Sequence, residues 1–183
     1  MLLILGGVRS GKSRLAERLA TARPPVTYLA TAQAGDEEMS RRIAVHRGRR
    51  PLDWTTREEP WDIAGAVGGC QRQGTLLLEC LSLWLTNRLV GLSGRTGESD
   101  EAIRAAVGEL LTAVHGAAGR IVVVSSEVGC GIVPMNALSR RFADLIGEAN
   151  QRLAEAAAEV YWCLAGIPVR IKPGADGNTQ TAD

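Results

Sequence analysis

Short apolar runs bounded by turn residues recur along the chain at Leu2–Leu5, Val26–Ala30, Thr75–Cys80, Arg120–Ser125 and Val160–Leu164, with helical periodicity in most of the intervals between them. Strand-length apolar runs that alternate with helices predict an α/β fold, a mostly parallel central sheet covered by helices on both faces. After the first run, Leu15 and Leu19 share one helical face. Ser99 is placed to cap a helix in which Ile103, Val107, Leu110, Leu111 and Val114 recur at helical spacing. A third helix, over residues 136–158, brings Leu138, Phe142, Leu145, Ala149 and Leu153 onto one stripe, and all three stripes are expected to be core. Gly166-Ile167-Pro168 predicts a turn into a short antiparallel strand, Val169–Ile171, and the Gly91–Gly97 stretch is expected to be a mobile loop. No repeat or linker interrupts the pattern, which points to one domain over 1–172 and a disordered polar tail over 173–183.

Composition narrows the class. With 183 residues, 45% of them apolar, the chain can bury a single substantial core. Net charge is +1, and the acidic residues are interspersed with the basic ones, so the broad basic face that nucleic acid requires is not expected. The apolar runs are too short to span a membrane, and no charged leader precedes the first strand. Cys70, Cys80, Cys130 and Cys163 form no C-x-x-C pair and lie in or beside apolar runs, which predicts buried free thiols in a reducing cytoplasm.

The chemistry begins where the first strand ends. Gly6-Gly-Val-Arg-Ser-Gly-Lys-Ser13 is a G-x-x-x-x-G-K-S phosphate loop between a buried-type strand and a helix. Its glycines let successive N–H groups turn inward on an anion, and the helix that follows adds the positive end of its dipole. Gly6, Gly7, Val8, Arg9, Ser10, Gly11, Lys12 and Ser13 are therefore expected to hold a nucleoside triphosphate. Lys12 is expected on the β and γ phosphates, and the Ser13 hydroxyl on Mg²⁺. The chain has 19 arginines but only two lysines, Lys12 and Lys172, so one of its two lysines sits in this loop.

A phosphate loop needs an acidic partner for Mg²⁺ at the end of a neighbouring strand. Glu79, after Thr75-Leu-Leu-Leu78, is the first candidate; Glu127, after Ile121-Val-Val-Val-Ser-Ser126 and ahead of Gly129 and Gly131, is the second. The segment Asp36–Pro51 is dense in charge and holds one histidine. On a helix starting at Asp36, His46 falls near the face of Met39 and Ile43, with Arg42 one turn before it and Arg47, Arg49 and Arg50 after it. These residues fit a solvated basic face, a packing histidine, or an imidazole nucleophile held among phosphate-binding guanidinium groups. His115, the other histidine, is expected at the surface beside an apolar stripe.

The phosphate loop, Tyr28-Leu-Ala-Thr-Ala-Gln33, R-I-x-x-H-R-x-x-R-P over 42–51, Leu78–Asn87, E-V-G-x-G-I-V-P over 127–134 and Asn150-Gln-Arg-Leu-Ala154 occur together and in order. With them the chain resembles the bifunctional adenosylcobinamide kinase/adenosylcobinamide-phosphate guanylyltransferase family of cobalamin biosynthesis, from residue 2 to about 172. The resemblance implies a RecA-like P-loop fold and two successive reactions. The first phosphorylates the aminopropanol hydroxyl of adenosylcobinamide from a nucleoside triphosphate, ATP or GTP. The second transfers GMP from GTP through a covalent guanylyl-histidine. It further implies that His46 is that histidine, that Thr31, Ala32, Gln33, Arg47, Gly48, Arg49, Arg50 and Glu58 line the guanine nucleotide with Glu79 near the metal, and that the enzyme is a homotrimer. The residue inventory agrees with a histidine nucleophile, since Lys12 is committed to the phosphate loop and Lys172 lies near the C-terminus.

Overall fold

The structure is a computed structural model and describes residues 1–35, 37–69, 73–92 and 94–173. Seven strands, β1 (Leu2–Gly6), β2 (Val26–Ala30), β3 (Thr55–Glu58), β4 (Thr75–Glu79), β5 (Arg120–Val124), β6 (Glu159–Leu164) and β7 (Ile167–Lys172), form one sheet in the order β3-β2-β4-β5-β1-β6-β7. All pairs are parallel except β6 with β7. The apolar runs explain the centre: Leu2–Leu5, Leu76–Leu78 and Ile121–Val124 are buried throughout, as strands covered on both faces must be. The antiparallel strand extends beyond the expected Val169–Ile171, and the turn into it is made by Ala165 and Gly166, both at positive φ.

The helices are α1 (Lys12–Thr21), α2 (Glu37–Arg49), α3 (Ile63–Gly68), α4 (Leu81–Val90), α5 (Asp100–Gly116) and α6 (Ala137–Ala156). They cover the sheet unequally. Leu15, Ala16 and Ala20 of α1 pack with Ile4, Tyr28, Leu77 and Val122 on one face. The apolar stripes of α3, α4, α5 and α6 pack with Leu3, Leu29, Leu78 and Val123 on the other. The alternation of strand side chains divides the core in this way: Leu77 faces α1, whereas Leu76 and Leu78 face the four-helix layer. Ser99 caps α5 as expected, its side chain accepting from Ala102 N, and Asn136 caps α6.

Several expectations are corrected. Strand β3 and helices α3 and α4 add to the predicted elements, and α2 starts at Glu37, with Asp36 outside the described residues. In the α6 stripe only Leu145, Ala149 and Leu153 are fully buried; Leu138 is exposed and Phe142 half-buried, because the part of α6 packed in the core begins at Leu145, with Phe142 only partly covered against it. The thiols are not uniformly buried: Cys163 is, Cys80 is half-buried and Cys130 is exposed, since the loop that carries Cys130 lies beyond the apolar run; Cys70 is outside the described residues. The described residues of the Gly91–Gly97 stretch form no helix or strand, and just beyond them Glu98 N donates to Arg88 O of α4. Of the expected tail, 174–183 lies outside the described residues.

Candidate functional site

The carboxyl ends of the parallel strands, where chain direction reverses and ligands of open α/β sheets bind, carry the phosphate loop. Its backbone is built on two glycines. A Cβ at Gly6 would lie 2.4 Å from Ser10 Oγ and 2.7 Å from the Cys163 carbonyl. Gly11 has φ +95° at the N-cap of α1, against the β6–β7 turn at Gly166. Gly166 N donates to Ser10 O, so that turn buttresses the loop. Lys12 Nζ folds back to the Gly7 carbonyl at 3.0 Å, across the mouth of the loop. Gly7, Val8 and Arg9 form its exposed rim, and the Ser10 hydroxyl is buried within it without a partner.

Ser13 and Glu79 meet. Ser13 Oγ donates to Glu79 Oε1 at 2.7 Å, while Glu79 Oε2 is buried with no hydrogen-bond partner. Burial pushes the Glu79 carboxyl up to about 7, against the opposing pull of the Ser13 hydroxyl and the Lys12 charge. A hydroxyl oxygen beside an under-satisfied carboxylate is a hard-oxygen donor set of the kind Mg²⁺ uses when substrate phosphates and water supply its other ligands. Among the described residues there is no group of three or more His, Cys, Asp or Glu that could hold a metal ion by itself. Glu127 lies beside the loop, with its N–H donating to Gly6 O, but its carboxylate accepts from Gly129 N and so shapes its own turn.

Helix α2 supplies the opposite wall. Met39, Ile43, His46, Arg47, Arg49 and Arg50 line the same cavity of about 1480 Å³ as Lys12, Ser13 and Glu79. Burial lowers the His46 pKa below its ordinary 6.5, and the charges of Arg49, Arg50 and Lys12 lower it further. Its Nδ1 is buried and has no hydrogen-bond partner. Arg50 is fixed by stacking over the buried Tyr28 ring, 3.5 Å from its centroid, and by donating to Thr56 Oγ1. Arg47 pairs with Glu58 at the exposed rim. Ala32 and Gln33 also line the cavity, whereas Thr31 is wholly buried and ties the strand ends together: its Oγ1 donates to Cys80 O and accepts from Cys80 N. Gly48 is exposed on α2. His115 is exposed as expected, its Nδ1 against the Leu111 carbonyl.

The structure also brings in residues whose part in the site the sequence did not mark. Tyr28 supports Arg50 from a position that reads as strand core. Ser82, Leu83 and Thr86 of α4, Ser126 and Phe142 extend the cavity beyond the phosphate loop. Ser82 and Thr86 stand four apart on one face of α4, a signal available in the sequence, but Phe142 belongs to an apolar stripe and carries no such mark.

A phosphate loop at the carboxyl edge of this sheet, with a hydroxyl–carboxylate pair beside it, defines a P-loop nucleotide-binding protein of the RecA-like class. Solved structures agree on the fold. The RadB recombinase superposes with a TM-score of 0.53 over 99% of this chain and 84% of its own, at 13% identity. A Pyrococcus horikoshii OT3 protein superposes with a TM-score of 0.57 over 100% and 91%, at 10% identity. Within that class, the model of the cobinamide kinase/cobinamide phosphate guanyltransferase family matches residues 2–171. The bifunctional adenosylcobalamin biosynthesis protein CobP of Pseudomonas aeruginosa is 48% identical over 93% of this chain and 96% of its own. The bifunctional adenosylcobalamin biosynthesis proteins CobU of Salmonella typhimurium and Escherichia coli are 40% and 39% identical, each over 94% of this chain and 99% of their own. The chain belongs to the cobinamide kinase/cobinamide phosphate guanyltransferase family.

Proposed function

We infer that this enzyme phosphorylates the aminopropanol hydroxyl of adenosylcobinamide from ATP or GTP and then guanylylates that phosphate from GTP through a phosphoramidate on His46. The observation that carries this reading is that the phosphate loop and His46 line one cavity, with Lys12 close enough to depress the imidazole pKa. In the kinase step the substrate hydroxyl oxygen bonds to the γ phosphorus, the bond from that phosphorus to the β-phosphate oxygen breaks, and the hydroxyl proton is released. Lys12 compensates charge that develops on the β and γ phosphates.

In the second reaction an unprotonated nitrogen of His46 bonds to the α phosphorus of GTP and pyrophosphate leaves. An oxygen of cobinamide phosphate then bonds to that phosphorus, the P–N bond breaks, and neutral imidazole returns. Each displacement needs only one in-line arrangement, and pyrophosphate departs before the bulky corrinoid phosphate attacks. The lowered His46 pKa supports this role, because it keeps the ring neutral and nucleophilic at physiological pH. Arg47, Arg49 and Arg50, with Ala32, Gln33 and Glu58, bind the nucleotide around it. Ser13 and Glu79 hold Mg²⁺, which neutralises phosphate charge when bound.

The homotrimer is supported by the apolar outer edge of the sheet, where Leu164, Ile167, Val169 and Ile171 are exposed, in contrast to the polar β3 edge. The reaction belongs in the cytoplasm, with which the free thiol of exposed Cys130 agrees. No helix among the described residues is long and apolar enough to cross a membrane.

The test is an assay with adenosylcobinamide that separates phosphorylated from guanylylated product. Lys12→Ala is expected to lower both by roughly 10²-fold or more, as loss of a preorganised charge stabiliser does. His46→Ala is expected to abolish the guanylylated product while phosphorylated product still accumulates. Near-normal kinase turnover in Lys12→Ala contradicts the phosphate-loop assignment.

A further inference from the structure

At about 1480 Å³ the cavity exceeds the roughly 300–1,000 Å³ of an ordinary small-molecule site, and it crosses the carboxyl edge of the sheet from one face to the other. On the α1 side its walls are the phosphate loop and the basic residues of α2. On the far side they are Ser82, Leu83 and Thr86 of α4 and Phe142 of α6, with Ser126 at the end of β5, and none of these is charged. Helices α4 and α6 belong to the core layer opposite α1, so this arm lies across the sheet edge from the nucleotide-binding wall.

The arm is preorganised. Ser82 Oγ accepts from Ser126 N at 2.7 Å, Thr86 Oγ1 donates to Ser82 O at 2.9 Å, and Asn150 Nδ2 donates to Ser126 O at 3.0 Å. Trp84 and Leu85 anchor α4 in the core beneath it. Hydrocarbon interspersed with fixed hydroxyl groups is a poor counterpart for a triphosphate, which requires cations and N–H donors. It suits an uncharged aliphatic chain bearing a hydroxyl and an amide. Glu79, Ser13 and the phosphate loop line the same cavity as these residues, so the arm is continuous with the phosphate loop.

We propose that this arm is the acceptor subsite, in which Leu83, Thr86 and Phe142 grip the aminopropanol end of the corrinoid and fix its reach toward the transferred phosphorus. The proposal rests on the kinase and guanylyltransferase reading above. The same end of the acceptor reacts twice, first as the alcohol and then as the phosphate, so one arm serves both steps. The nucleotide half-reaction, GTP with His46, does not involve it.

Leu83→Trp narrows the arm. The corrinoid KM is expected to rise at least about tenfold in both reactions, while the nucleotide KM and the GMP adduct formed from GTP alone match wild type. Leu83→Met is expected to restore the corrinoid KM. Thr86→Val and Phe142→Leu are expected to give smaller rises of the same kind, and they carry the test if Leu83→Trp does not fold. An unchanged corrinoid KM across these variants, or adduct formation that falls in step with it, overturns the proposal. Absence of both products from the wild-type enzyme overturns the functional reading instead, so the two failures are distinguishable.

Discussion

At His46 the proton equilibrium is set by burial and by three cations, Arg49, Arg50 and Lys12, all acting in one direction. The sequence alone leaves that direction open, because Glu37 and Glu38 stand on the same helix and oppose the arginines in sign. In the structure these two carboxylates occupy the exposed first turn of α2, two turns before His46. With the neutral ring as the proposed nucleophile, kcat/KM for adduct formation from GTP is expected to fall with a midpoint below pH 6.5. A midpoint above 6.5 contradicts the assigned environment. Glu79 titrates with the opposite consequence. Its folded pKa of about 7 lies above the ordinary 4.5, so the folded state holds more protons between those values and stability falls as pH rises through that window. Glu79→Gln is therefore expected to raise the melting temperature at pH 8, by roughly 1–3 kcal/mol of stability, with the gain vanishing near pH 4.5. Mg²⁺-dependent turnover is expected to drop in the same variant. A larger loss of turnover in Glu127→Gln would instead assign the metal to Glu127.

Among the elements, α4 connects scaffold and site. Asn87 Nδ2 donates to the carbonyls of Thr31 and Pro60, which joins the helix to the segments after β2 and β3. One residue on, Arg88 holds Glu98 through two hydrogen bonds, at 2.8 and 3.1 Å, and donates to the Trp61 carbonyl; its guanidinium lies beside the Trp61 and Trp84 rings. The pair is largely buried, so Arg88→Ala leaves Glu98 without its charge partner. It is expected to cost about 3 kcal/mol in denaturant melts while the enzyme that remains folded still forms the GMP adduct. The legibility of each element follows from where its side chains go. The five buried parallel strands announce themselves as apolar runs, and α5 by a capped stripe. Strand β3 does not, since Thr55, Thr56, Arg57 and Glu58 are all exposed on an edge, where polar residues protect the sheet from further pairing. Helix α4 is hidden by its own burial: apolar residues surround much of its circumference, so Leu81–Val90 shows no clean face.

For the whole molecule, the nucleotide half of the site is legible because a phosphate loop is local: eight consecutive residues make it, and Ser13 finds Glu79 at the end of an adjacent run. The other half assembles across the sheet edge from α2, α4 and α6, and local periodicity does not report such meetings. Phe142 reads as core and lines the cavity; Thr31, expected beside the nucleotide, is wholly buried, with its side chain bonded to the Cys80 backbone. His46 could be given a role only through its motif, since a half-buried histidine on a basic helix is equally a packing residue until the wall opposite it is known. What would unite the two halves is the proposed covalent guanylyl group on His46, which lines the same cavity as the phosphate loop. The most direct measurement is the intact mass of the protein after incubation with GTP and Mg²⁺, followed by peptide mapping of the acid-labile adduct. The wild-type chain is expected to gain one GMP at His46 and His46→Ala to gain none; an adduct that persists in His46→Ala, mapped to His115 or Lys172, contradicts the mechanism.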